Sequence, residues 1–170
     1  MDFHQLITDK TIKPKEKTEV LRQWILNNPE KLQNLIDFAI VSKDPVKATC
    51  IEAIEQVTKD KPGVASSACL KFVTKSLAEK APRVKWESAR VVGNIAHLFP
   101  DNLEEAIKNL LVNSEHSGTV VRWSAAFAVG EILKLKTNLN KDLLPKVEAL
   151  CEKEEKNSIK KIYLSAMKKI

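Results

Sequence analysis

Glycine, aromatic residues and paired cysteines are all scarce in this chain. Four glycines and an aromatic share of 5% in 170 residues leave little of the turn chemistry and few of the side chains that favour sheets. Long runs of Lys, Glu, Leu and Ala instead favour helix. No uncharged apolar run approaches the roughly 20 residues that span a bilayer, and the opening MDFHQLITDKTIKPKEK lacks the apolar stretch of a secretory signal. A cytoplasmic protein without a membrane partner is the expectation. Cys50, Cys69 and Cys151 are odd in number and far apart, which argues against a disulfide framework. Set among apolar residues at helical spacing, they are expected as small core residues.

Motifs of catalysis and metal binding are missing as well. His4, His97 and His116 sit in contexts such as IAHLF and SEHSG, with no partner at metal-ligand spacing, and no HExxH, CxxC, glycine-rich phosphate loop or nucleophile elbow occurs. No catalytic residue, metal or cofactor is expected. His116 reads as a turn residue, and His97 as a helix-end residue favoured by the dipole.

What is present is a chain with 44% apolar and 29% charged residues, the balance of a globular domain. One domain over residues 1–170 is expected. The net charge of +6 and pI near 9.2 suit an anionic partner. The bases are spread along the chain, however, which favours a solvated basic surface over a nucleic-acid footprint.

The chain also repeats itself. VKATCIEAIEQV from residue 46, VKWESARVVGNI from 84, VRWSAAFAVGEI from 121 and IKKIYLSAMKKI from 159 align without gaps, at offsets of 38, 37 and 38 residues. Each begins with a branched apolar residue and a base, and each has apolar residues eight and eleven positions on, as in Ile54 and Val57 or Val129 and Ile132. Between them lie further helical patterns over 29–41, 62–79, 101–113 and 141–153, whose starts carry Asp, Asn or Pro, residues that cap or pre-set a first turn. Each unit is therefore expected to be a helical hairpin. Two helices cannot bury both apolar stripes alone, so successive hairpins must stack into an all-α solenoid with a continuous core. The predicted repeats cover about 29–59, 62–98, 101–135 and 141–170, with a capping hairpin in 1–28 whose helices lie over 3–8 and 15–27. At the other end Lys160, Lys161, Lys168 and Lys169 are expected to protect the terminal surface by charge.

The branched residue, the base, and the small and apolar residues closing on VGNI or VGEI resemble the second helix of HEAT repeats, in the armadillo-like helical class. The resemblance runs from about residue 29 to 170 and implies a right-handed α-α superhelix whose second helices line a concave face. The aspartate that such repeats often carry before the Val-Arg pair survives as Asp44 but not in the later units, where Ala81, Ser117 or Thr119, and Asn157 stand. A weaker similarity links the chain to HEAT-like DNA glycosylases of alkylation repair. Their catalytic segment has no match, and helical geometry is expected to turn Glu87 away from Trp86. HEAT-like lyases that act on bilins share the repeat alone.

On a wheel of 100° per residue, Val46, Cys50, Ala53, Ile54 and Val57 share the core side, and Ala48, Glu52 and Glu55 lie opposite. In the later units those three positions become Trp86, Arg90 and Gly93, then Trp123, Phe127 and Gly130, then Lys161, Ser165 and Lys168. This column is expected to face the groove. Trp86, Trp123 and Phe127, flanked by Arg90, His97, Lys134 and Lys161, form the candidate partner-binding patch, the composition of an interaction hot spot. Filling of the seam between repeats is the other account of the large residues. Gly93 and Gly130 are expected to permit close helix packing, and Lys47, Lys85, Arg122 and Lys160 to bond backbone or acids of adjacent repeats. The function expected is a non-enzymatic binding module or scaffold holding a protein or peptide, an acidic one being favoured by the lysines. Nucleic-acid binding through the same face is the alternative, by stacking on the tryptophans.

Overall fold

Proline marks where the helices begin. Pro14, Pro45 and Pro82 stand in the first turns of the helices Pro14–Asn27, Asp44–Asp60 and Pro82–Ile95, and Pro29 and Pro62 open short 3-10 turns. There a missing N–H costs nothing and the fixed φ is already helical. The computed structural model describes residues 1–170 and contains ten α-helices and no strand. They are α1 (Phe3–Thr8), α2 (Pro14–Asn27), α3 (Leu32–Ile40), α4 (Asp44–Asp60), α5 (Ser67–Ser76), α6 (Pro82–Ile95), α7 (Glu104–Asn113), α8 (Thr119–Leu133), α9 (Asn140–Lys153) and α10 (Asn157–Met167). No helix is long and apolar enough to cross a membrane.

The helices pair in chain order into hairpins, and the hairpins stack. The second helices α2, α4, α6, α8 and α10 lie side by side, each along the next, while the first helices α3, α5 and α7 meet more sparsely. An inner layer packed more closely than the outer one curves the stack, so the second helices line its concave side. A single apolar core runs from Leu21 in α2 to Ala166 in α10. Cys50, Cys69 and Cys151 are all buried within it and free. Burial pushes the Cys50 and Cys69 thiols up to about 12, so neither forms a reactive thiolate at neutral pH.

The repeat also sets a ladder of polar contacts between hairpins. Lys47 donates to Glu79 of the next hairpin at 2.8 Å, Lys85 to Asn113 at 3.1 Å and to the Leu77 carbonyl at 3.2 Å, and Arg122 to Glu154 at 3.0 Å. Lys47, Lys85 and Arg122 thus reach across the seam, as expected, with their stems packed at the helix edge, whereas the Lys160 side chain makes no such bond in the last hairpin.

Candidate partner-binding face

The groove column is not open along its whole length. Ala48, Glu55, Gly93 and Gly130 are buried, because α4, α6 and α8 are each covered on one side by their own hairpin partner and on the two flanks by neighbouring second helices. Close approach explains both glycines. A β-carbon on Gly93 would overlap the Phe127 ring, whose Cδ1 would lie 2.9 Å away, and one on Gly130 would stand 3.2 Å from the Ala166 β-carbon. The loss of helix propensity, about 1 kcal/mol per glycine, is offset by letting the Phe127 ring and the Ala166 methyl group of the neighbouring helices pack directly on the backbone at Gly93 and Gly130.

Phe127 is therefore half-buried, lying over Gly93 in the seam between α6 and α8. Trp123, one turn earlier on α8, stacks on it with centroids 6.2 Å apart and planes 15° from parallel, and remains 39% exposed. The pair is one aromatic surface, its base fixed by the seam and its top open to solvent. Trp86 behaves differently. It is half-buried, and its indole N–H donates to Glu87 Oε1 at 3.0 Å.

That contact corrects the one-helix view of Glu87. The superhelix turns this position into the seam, where the carboxyl is 5% exposed, is held by Trp86 and lies 3.8 Å from Arg90. Its Oε2 has no hydrogen-bond partner. Burial pushes the Glu87 carboxyl up to about 7, against the opposing pull of the Trp86 hydrogen bond and the Arg90 charge. Glu55 is raised in the same direction, again by burial, with Arg90 at 3.3 Å opposing it. Arg90 is thus shared between a carboxylate of α4 and one of α6.

The remaining candidate residues fall into two groups. Arg90 belongs to an ion-paired belt across α2, α4 and α6, with Arg22 on Asp60 at 2.8 Å and Arg83 on Glu52 at 2.5 Å. Lys161 is exposed and without an ion pair on α10, as is Lys168, while Lys134 at the end of α8 pairs with Glu131 of its own helix. His97 is exposed in the 3-10 turn after α6, a turn that packs against α8. The carboxylate belt had a signal in the repeat, since Glu52 and Glu55 occupy the column next to Arg90, but Glu87 required the neighbouring helix to be seen.

The chain matches no protein-family model and no curated protein. Among solved structures it is similar to a chain from the complex of CpcE and CpcF of phycocyanin lyase from Nostoc sp. PCC7120, with a TM-score of 0.68 and 18% identity over 97% of each chain. The chain has a HEAT/armadillo-like helical solenoid fold. A designed armadillo repeat protein in complex with a (KR)4 peptide also aligns, at a TM-score of 0.44 and 14% identity, over 98% of this chain and 97% of that one.

Proposed function

We propose that this chain is a cytoplasmic, non-enzymatic binding module that holds a protein or peptide segment on its concave face. One observation carries the reading: Trp123, stacked on a ring that the seam holds in place, stands open to solvent on α8, the fourth of the five second helices. A rigid, half-supported aromatic contributes contact area at little entropic cost, which is the property of an interface anchor. Trp86, Arg90 and Lys161 extend the face on either side.

Nucleic acid fits the same face less well. All four arginines, Arg22, Arg83, Arg90 and Arg122, are committed to carboxylates of the chain itself. The fork that best recognises phosphate is therefore already occupied.

The test is capture of partners from the source cell by the wild-type chain and by Trp86→Ala/Trp123→Ala, with far-UV circular dichroism to establish that the variant is folded. A protein partner lost from the folded variant, and only mildly weakened by salt, is the expected result. Retention of every partner by the folded variant sinks the proposal. Binding that falls steeply with salt and is carried by nucleic acid turns the assignment to the alternative.

A further inference from the structure

Between α8 and α10 the concave face dips into a pocket of about 260 Å³. Its apolar surface comes from Phe127, Gly130, Ile162 and Ala166, and its rim carries Lys134 and Lys161. Two features of the packing make it a formed seat. Phe127 cannot fold back away from it, because the α6 backbone at Gly93 lies against the ring. Its floor stays shallow and smooth because Gly130 and Ala166 bring α8 and α10 together with nothing larger than a methyl group between them. The volume falls below the roughly 300 to 1,000 Å³ of a small-molecule site, and suits a single large side chain.

The charge around this seat is unanswered. Lys161 and Lys168 have no ion pair, and the only carboxylate at the rim, Glu131, already serves Lys134. Elsewhere on the concave face the arginines have carboxylate partners within the chain. Whatever enters the seat must bring its own carboxylates, because a basic or neutral segment would leave the lysines repelled or desolvated without compensation.

We propose that the α8–α10 pocket anchors one large apolar side chain of an acidic peptide segment, seated against Phe127, Ile162 and Ala166 with a flanking carboxylate on Lys161. The proposal rests on the concave-face reading above and names the partner chemistry of that face. Trp123, stacked on Phe127, covers the residue next to the anchor.

Fluorescein-labelled synthetic peptides are the probes: a run of Glu and Asp with one central Phe, the same run with Gly at the centre, and a charge-reversed run of Lys with central Phe. Binding is read by anisotropy and by the chemical shifts of Ile162 and Ala166 methyl groups. Ser165 is exposed on the pocket wall, so Ser165→Phe fills the seat from outside the core, and Lys161→Glu reverses the rim charge. The acidic Phe peptide is expected to bind and to shift both methyls. Loss of the central Phe, Ser165→Phe and Lys161→Glu are each expected to weaken it about tenfold or more, the effect of one anchor or one desolvated charge.

Equal binding of the Lys peptide, equal binding by the two variants, displacement by a single-stranded oligonucleotide at the same concentration, or no binding of any probe would each overturn the proposal. Partner capture separates this from failure of the broader reading. A cellular partner lost from Trp86→Ala/Trp123→Ala but retained by Ser165→Phe and Lys161→Glu leaves the concave-face reading standing and removes the pocket from it.

Discussion

The α4–α6 half of the concave face and the α8–α10 half are built from the same repeat, yet they settle their charges in opposite ways. In the first, Glu52 and Glu55 of α4 meet Arg83 and Arg90 of α6 across the seam, and Glu87 meets Arg90 within α6. In the second, the equivalent positions are Phe127, Gly130 and Ser124, then Ser165, Lys168 and Ile162, and the lysines there face solvent without acids from neighbouring helices. One half spends its polar groups on holding hairpins together. The other leaves an aromatic pair and free cations on a surface held by apolar packing. A repeat protein can thus vary along its length in how neighbouring hairpins are held together while keeping one backbone plan.

The difference should appear most strongly when Arg90 is removed. Arg90→Ala leaves Glu55 and Glu87 buried together without the guanidinium that lies against both. Breaking such a buried arrangement costs about 3 to 5 kcal/mol, and the lower figure is expected because Arg90 itself is partly exposed. Urea unfolding at about pH 8, with an unchanged slope and a lowered midpoint, measures it. A loss below about 1 kcal/mol would mean that the belt is not cohesive, and the contrast between the halves would disappear.

Glu87→Gln should act in the opposite direction. Unfolded, this carboxyl has its ordinary value of 4.5, and folded it lies at about 7. Between those values the native state holds the proton more tightly. The stabilisation is therefore fully present below 4.5 and is lost as pH rises through about 7. The amide carries no such dependence. Glu87→Gln is expected to flatten the stability profile across this window and to stabilise the chain at about pH 8, by no more than about 3 kcal/mol given roughly 1.4 kcal/mol per unit of displacement. Glu55, raised for the same reason, will leave a residual slope of the same sign. A variant with the wild-type profile would show that Glu87 is solvated rather than buried.

These two variants also mark the boundary of what one helix can reveal. The hairpins, their order and most core positions were legible because a stacked repeat rewrites the same apolar register: Val57, Ile95 and Ile132 are all fully buried, as their shared spacing requires, while the fourth copy, Ile170, stays exposed in the last hairpin, which no further hairpin covers. The aromatic column was legible in part. Trp123 and Phe127 share one face of α8 because they are four residues apart, and the structure stacks them. The burial of Ala48, Glu55 and Gly93 was not legible, since a helical wheel records the angle to one partner, while α4 and α6 have second helices on both flanks. Glu87 was misplaced for that reason. The wheel turned it from Trp86, whereas in the α4–α6 seam the Trp86 indole N–H donates to the Glu87 carboxyl, with Glu52 and Glu55 of the preceding second helix nearby.

Gly93 and Gly130 allow a milder comparison. Alanine at either position gains helix propensity of about 1 kcal/mol. At Gly93 the new methyl overlaps the Phe127 ring, while at Gly130 it meets Ala166 at 3.2 Å and needs only a small adjustment. Overpacking costs typically about 1 to 3 kcal/mol, so Gly93→Ala is expected to lose about 1 kcal/mol net and Gly130→Ala to stay near zero. Near-UV circular dichroism should register Gly93→Ala as well, because a displaced Phe127 carries Trp123 with it. An unchanged aromatic spectrum would mean that the stacked pair does not depend on the seam.

The smallest effect on stability is expected where the effect on binding should be largest. Lys161 and Lys168 are exposed and have no ion pair, so removing either breaks no contact within the fold. Surface changes of this kind usually stay within about 0.5 kcal/mol. In a chain of net charge +6 the loss of a cation also relieves self-repulsion, so the sign for Lys161→Ala and Lys168→Ala should be neutral to slightly stabilising, and more favourable at low salt. Chemical denaturation at two salt concentrations checks this directly. A loss of more than about 1 kcal/mol from Lys161→Ala would mean that the lysine holds α10 to its neighbours, and that both halves of the groove are cohesive. Unchanged stability together with weakened partner binding would instead identify Lys161 as a cation kept for contact with another molecule.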